Sequence, residues 1–135
     1  GLGISSCISM GGDPLTGMRM VEYLRLFEKD SETDLVVLFG EPGTANEREV
    51  ADALAAGEIS KPVIALIAGS FQEAYPSGIS FGHVAAMITE EADTASAKRA
   101  LLARSGVRVV GSLEELADAA KALAQHEPSR SAAMG

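Results

Sequence analysis

The sequence has one cysteine, Cys7, so no disulfide can form within the chain, and a reducing compartment is the simpler setting. Basic residues are scarce: eleven Lys and Arg stand against nineteen Asp and Glu, for a net charge of −8. That balance argues against a nucleic-acid backbone or an anionic membrane surface as a general partner. A phosphate ligand stays open, because backbone N–H groups hold anions without any lysine. Long hydrophobic runs are missing as well. Residues 63–68 and 84–88 are the longest, far short of the roughly 20 residues that a membrane-spanning helix needs. No basic segment followed by an apolar one opens the chain, so nothing points to secretion. A cytoplasmic location is expected, or the mitochondrial matrix in a eukaryote. Histidine is almost absent, with only His83 and His126.

What is present is globular. Hydrophobic residues make up 47% of the 135 and charged residues 22%, which excludes disorder and low-complexity fibres. Short apolar runs at residues 4–10, 35–39, 63–68 and 107–110 are rich in β-branched side chains and show little polar alternation. Strands buried on both faces of a parallel sheet read this way. Between the runs lie stretches of 3.6-residue periodicity at residues 18–29, 46–56, 94–104 and 112–124. Asp30 and Ser31 close the first, Gly57 the second and Gly106 the third, while Ser112 and Glu115 have capping-box spacing. Strand and helix alternating at these lengths predict right-handed βαβ crossovers. The expected fold is a flavodoxin-like three-layer α/β sandwich around a mostly parallel sheet of four or five strands, the fifth near residues 84–88. Residues 1–125 form one domain in this reading, and the small, polar residues 126–135 form a disordered tail. The opening Gly1-Leu2-Gly3-Ile4 lacks frayed polar residues, and the chain reads as a segment of a longer protein.

In a doubly wound sheet, ligands bind beyond the carboxyl ends of the strands. The residues expected there are Gly11-Gly12-Asp13, Gly40-Glu41-Pro42-Gly43, Gly69-Ser70 and Gly111-Ser112. Glycine pairs of this kind could let backbone approach a phosphate. His83 follows Gly82 and opens an apolar run. It reads either as a partly buried histidine donating to a backbone carbonyl or as a nucleophile. Neutral imidazole attacks well when a carboxylate accepts from one ring nitrogen and so fixes which nitrogen is free. Glu41 is the carboxylate available on the same edge, though it could equally be a loop carboxylate in water. Cys7 reads as a small core residue of the first strand, and His126 as a surface side chain near the tail. No His/Cys/Asp/Glu cluster has metal-ligand spacing. Ser70 and His83 could sketch a hydrolase triad, but no G-x-S-x-G elbow exists.

Several motifs follow one another in a familiar order: Gly3-Ile4-Ser5-Ser6-Cys7, Gly11-Gly12-Asp13-Pro14-Leu15-Thr16-Gly17, and Phe27-Glu28-Lys29-Asp30-Ser31. Gly40-Glu41-x-Gly43, Lys61-Pro62-Val63, Ile67-Ala68-Gly69, Gly82-His83 and Gly106-Val107-x-Val109-Val110 come after them. Together they resemble the second domain of the succinyl-CoA synthetase α subunit, over residues 3 to 124. The resemblance implies a phosphohistidine relay. ATP or GTP, with Mg, phosphorylates His83 while Glu41 holds the ring; the phosphoryl group passes to a small carboxylic acid such as succinate; coenzyme A then attacks the acyl phosphate. It also implies that Ser5, Ser6, Gly11, Gly12 and Gly82 lie near the phosphate. The nucleotide-grasping β subunit and an upstream CoA-binding domain would be its partners, so the domain by itself should be inactive.

Departures from the family pattern are local. Gly-His-Ala-Gly-Ala-Ile becomes Gly82-His83-Val84-Ala85-Ala86-Met87, and Glu-Ile-Gly-Gly becomes Glu41-Pro42-Gly43-Thr44. A glycine-rich stretch is replaced by Thr89-Glu90-Glu91-Ala92-Asp93, whose acids would repel a phosphoryl group unless the loop points away. These changes fit a ligase of altered specificity, a malate–CoA ligase, citryl-CoA synthetase or ATP-citrate lyase relative, or a non-catalytic scaffold that retains the histidine.

Overall fold

The structure, a computed structural model, describes residues 2–11, 15, 17–82 and 86–126. Three parallel strands lie in the order of the chain: β1 (Val36–Gly40), β2 (Val63–Ile67) and β3 (Arg108–Val110). Val36 stands opposite Val63, and Ile64 opposite Arg108. Helix α1 (Met20–Lys29) precedes β1, and α2 (Asn46–Ala55) carries the chain from β1 to β2. After β2 come the short 3₁₀ helices Ser70–Ala74 and Glu91–Asp93, then α3 (Ala95–Arg104) before β3 and α4 (Leu113–His126) after it.

Two hydrophobic cores sit on opposite faces of the sheet. On one, Val36, Leu38, Val63, Ala65 and Ile67 meet Val21 and Leu24 of α1, Val50 and Ala53 of α2, and Ala95 and Leu102 of α3. On the other, Ile64, Leu66 and Val110 meet Ala119 and Ala120 of α4. All five residues of β2 are buried, as a central strand covered on both faces must be, whereas β1 alternates and leaves Val37 and Phe39 exposed.

Helix ends follow the local chemistry. Gly57 and Gly106 adopt φ of 73° and 87°, the left-handed turn that closes α2 and α3. The Thr94 hydroxyl accepts from the Ala97 amide and starts α3. The Ser112 hydroxyl accepts from the Glu115 amide, while the Glu115 carboxylate reaches back to the Gly111 amide.

Several expectations need correcting. The apolar run 4–10 is not a strand: residues 2–9 are exposed, Cys7 among them, and the sheet has three strands among the described residues rather than four or five. A strand is not a local structure, since its N–H and C=O groups need a neighbour, and among the described residues no strand pairs with this run. Cys7 is therefore not the core residue expected. Residues 87 and 88, placed in a possible fifth strand, belong to none, and Val84 and Ala85 lie outside the described residues. At the other end, His126 closes α4 rather than opening a tail; residues 127–135 lie outside the described residues. Among the described residues no helix is long and apolar enough to cross a membrane.

Candidate functional site

Because the strands are parallel, the residues after each one emerge at the same edge. Glu41 leaves β1 there, half-buried, followed by the buried Pro42 and Gly43. The Glu41–Thr44 turn is held from several sides. Pro42 lies against Gly69 after β2, where an added Cβ would come within 2.6 Å of the proline ring. The Gly43 amide donates to the Asp93 carbonyl at 2.9 Å. Gly43 and Thr44 have φ of 79° and 53°, so two successive residues are left-handed, and the second is β-branched.

Beneath this turn lies a buried ion pair. Lys98 of α3 and Glu47 of α2 are 3% and 2% exposed. The Lys98 ammonium donates to the Glu47 carboxylate, to the Gly43 carbonyl and, at 2.8 Å, to the Glu41 carbonyl. Its three donors are thereby filled. The Glu47 carboxylate presses on Gly40, where a Cβ would approach it to 2.4 Å. Neither residue was singled out from the sequence, yet a signal existed. Lys98 shares a stripe with Ala95 and Leu102, and Glu47 one with Val50 and Ala51, so each is a charge on the apolar face of its helix.

The loop containing Gly82 is closed at its base: the Ser77 hydroxyl and the Gly78 amide both donate to the Ile88 carbonyl at 2.9 Å. Five residues later the chain reaches Asp93, which binds Gly43. Asp93, whose carboxylate also holds Thr89 beside that closure, is the point at which this segment is tied to the Glu41 turn. The acidic stretch after it does not gather its charges. The Asp93 carboxylate accepts from the Thr89 hydroxyl and from the Thr89 and Glu90 amides, while the exposed Glu90 pairs with Arg48 at 3.8 Å. Burial alone would push the Asp93 pKa up. The hydroxyl and amide of Thr89, the Glu90 amide and the nearby Lys98 outweigh it and hold the pKa below its ordinary value.

His83 and Gly12 lie outside the described residues. Ser6, Gly11 and Gly82 are exposed. The Ser5 hydroxyl shares a hydrogen bond of 2.8 Å with Thr33, which precedes β1, so Ser5 is tied near the amino end of the strand that Glu41 leaves at its carboxyl end. Among the described residues no group of three or more His, Cys, Asp or Glu could hold a metal ion. The cations nearest the edge are committed: Lys98 as above, and Arg99 to the Ile67 carbonyl.

The family of succinyl-CoA ligase like flavodoxin domains matches residues 1–123. The α subunit 1 of an ADP-forming succinate–CoA ligase from Archaeoglobus fulgidus is 41% identical over 113 residues, 84% of this chain and 37% of that protein. A subunit of an ADP-forming sulfoacetate–CoA ligase from an Acholeplasma species is 39% identical over 109 residues, 81% of this chain and 36% of that one. Among solved structures, the ATP citrate lyase of Methanosaeta concilii in complex with (3S)-citryl-CoA superposes with a TM-score of 0.82. It is 26% identical, over 90% of this chain and 20% of that one. The chain thus spans little more than a third of the length of the curated relatives it matches.

Proposed function

The chain belongs to the succinyl-CoA ligase family of flavodoxin-like domains, and from that premise we propose that it is the histidine-bearing domain of a nucleotide-dependent acid–CoA ligase. The nucleotide, the acid and coenzyme A enter as substrates. Neutral His83 attacks the terminal phosphorus of ATP or GTP through one ring nitrogen, and the nucleoside diphosphate leaves. Glu41 accepts a hydrogen bond from the other ring nitrogen, which fixes the tautomer and stabilises the positive charge that develops on the ring. The phosphoryl group then moves to the carboxylate of a small, succinate-type acid. The thiol of coenzyme A attacks that acyl phosphate, giving acyl-CoA and free phosphate.

One observation supports the reading: the hydrogen bond between the Gly43 amide and the Asp93 carbonyl joins the Glu41 turn to the segment that follows the Gly82-His83 loop in the chain. The committed state of Lys98 and Arg99 fits a domain that leaves the triphosphate to other parts of the enzyme. In this reading residues 1–125 form the ligase domain, a CoA-binding domain stands upstream, and a β subunit or fused domain grasps the nucleotide.

The test is transfer of radioactive γ-phosphate in the complete ligase. Label should appear on His83, be acid-labile and base-stable, and vanish in His83→Asn, whose amide has no nucleophilic nitrogen. Glu41→Gln should slow labelling by about 10- to 100-fold, because the ring survives without its orienting carboxylate. Label persisting in His83→Asn would move the acceptor elsewhere. An intact assembly that binds nucleotide and takes no label would mark a scaffold.

A further inference from the structure

We propose that the buried Lys98–Glu47 pair is a positioning device for Glu41, acting through the backbone of the turn that carries it. The inference rests on the reading of Glu41 given above. The ammonium sits inside the turn and donates to the carbonyls of Glu41 and Gly43, so it fixes the peptide plane that precedes Pro42 and the one that follows Gly43. Pro42 has a locked φ and is itself buried against Gly69, so little freedom is left between those planes. The direction of the Glu41 side chain is thereby set from below. Glu47 neutralises and orients the ammonium, and it occupies the space that a side chain at position 40 would need.

Stability alone is a poor account of this pair. Two charges taken out of water lose about as much in desolvation as they gain from each other, and apolar residues of similar volume often serve as well or better. What an apolar pair cannot do is bind two carbonyl oxygens. The turn also has a conformation that needs holding, since Gly43 and Thr44 are both left-handed. Its amide side is gripped by the Asp93 carbonyl and its carbonyl side by Lys98, so the Gly43 residue is fixed at both ends.

The test uses the complete ligase and the apolar double variant Lys98→Met/Glu47→Leu, because removing Lys98 alone would strand a buried carboxylate and risk unfolding. The double variant should keep its circular dichroism and its nucleotide KM within twofold, while the rate of His83 labelling falls by about 10- to 100-fold, as for other supporting residues behind a reacting group. The same change made in a Glu41→Gln background should cost less than about twofold more, because sites acting through one another are not additive. Equal losses in both backgrounds, or an unchanged labelling rate in the folded double variant, would overturn the proposal. Hydrogen exchange at the Gly43 amide gives a reading that needs no phosphorylation. It should accelerate at least about tenfold when the clamp is removed. Unchanged exchange would sink the proposal even if wild-type His83 proved never to take label, an outcome that would separately end the phosphohistidine reading.

Discussion

The two faces of the sheet are covered unequally: among the described residues α1, α2 and α3 bury Val36, Leu38, Val63, Ala65 and Ile67 on one, whereas α4 alone covers the other and leaves Val37 and Phe39 of β1 45% and 60% exposed. The difference shows where this fold can station a charge. Lys98 and Glu47 sit among the helices of the crowded face, themselves buried, where the ammonium can be held in one place. The turn it holds is the one that carries Glu41. Residues 4–8 stay exposed, and β1 offers an edge on which no described strand lies.

The largest effect expected from this contrast comes from truncating one side chain on each face. Leu102→Ala should cost about 2–5 kcal/mol of unfolding free energy, since the leucine is fully buried among α3, the sheet and its neighbours. Phe39→Ser, on the bare side, should cost under about 0.5 kcal/mol in this chain. Denaturant titration of the two variants decides it. Equal losses would mean that the faces are equally well covered, and the comparison would break. A Phe39→Ser loss that grows when the longer protein is used would show that residues outside this chain bury that face.

What was legible in the sequence was what depends on neighbours along the chain. The runs at 35–39, 63–68 and 107–110 became β1, β2 and β3, and Ser112, Gly57 and Gly106 bound their helices as cap chemistry requires. The parallel order then put Glu41 at the carboxyl edge. The run 4–10 misled because its composition is that of a strand while strand formation depends on a partner. Residues alone do not tell whether one is beside them. Lys98 was overlooked for the opposite reason. It reads as one charge on a helix with mixed composition, and its role emerges only when α3 packs on α2 and brings Glu47 and the two carbonyls to it.

A smaller effect is expected at Thr44. This position, glycine in the family pattern, holds a β-branched residue at φ 53°, a conformation whose cost is of order 1–3 kcal/mol and which persists only where surroundings dictate it. Thr44→Gly relieves that strain and adds back roughly 0.5–1 kcal/mol of unfolded-chain entropy cost. The net change should be a gain of about 1 kcal/mol, read as a higher denaturation midpoint with unchanged slope. A loss instead would mean that the threonine side chain contributes more than its backbone costs, and that the turn is less constrained than the clamp implies.

The smallest effect is a matter of acid. Asp93 lies at the carboxyl edge beside the clamp, and its hydrogen bonds from Thr89 and Glu90 hold its folded pKa below the ordinary aspartate value of 3.8. A carboxylate with a lowered folded pKa contributes stability that is fully present above the ordinary value. As pH falls below that value the unfolded chain takes up a proton first, and the contribution is lost through the lowered folded pKa. Asp30, before β1, is lowered by the Thr33 hydroxyl and the Glu32 amide and behaves in the same sense at the opposite end of the sheet. Asp93→Asn should therefore make stability fall less steeply on acidification, without abolishing the fall, because Asp30 and the likewise lowered Glu28 still titrate. The two aspartates differ in what else they touch. The Asp93 carbonyl receives the Gly43 amide, whereas Asp30 closes α1. Acid should loosen the Glu41 turn through Asp93 and not through Asp30, and hydrogen exchange at Gly43 measured down the acid limb distinguishes them. Its protection factor, corrected for the intrinsic pH dependence of exchange, should fall with acid less in Asp93→Asn than in Asp30→Asn; the reverse pattern would detach the acidic loop from the clamp.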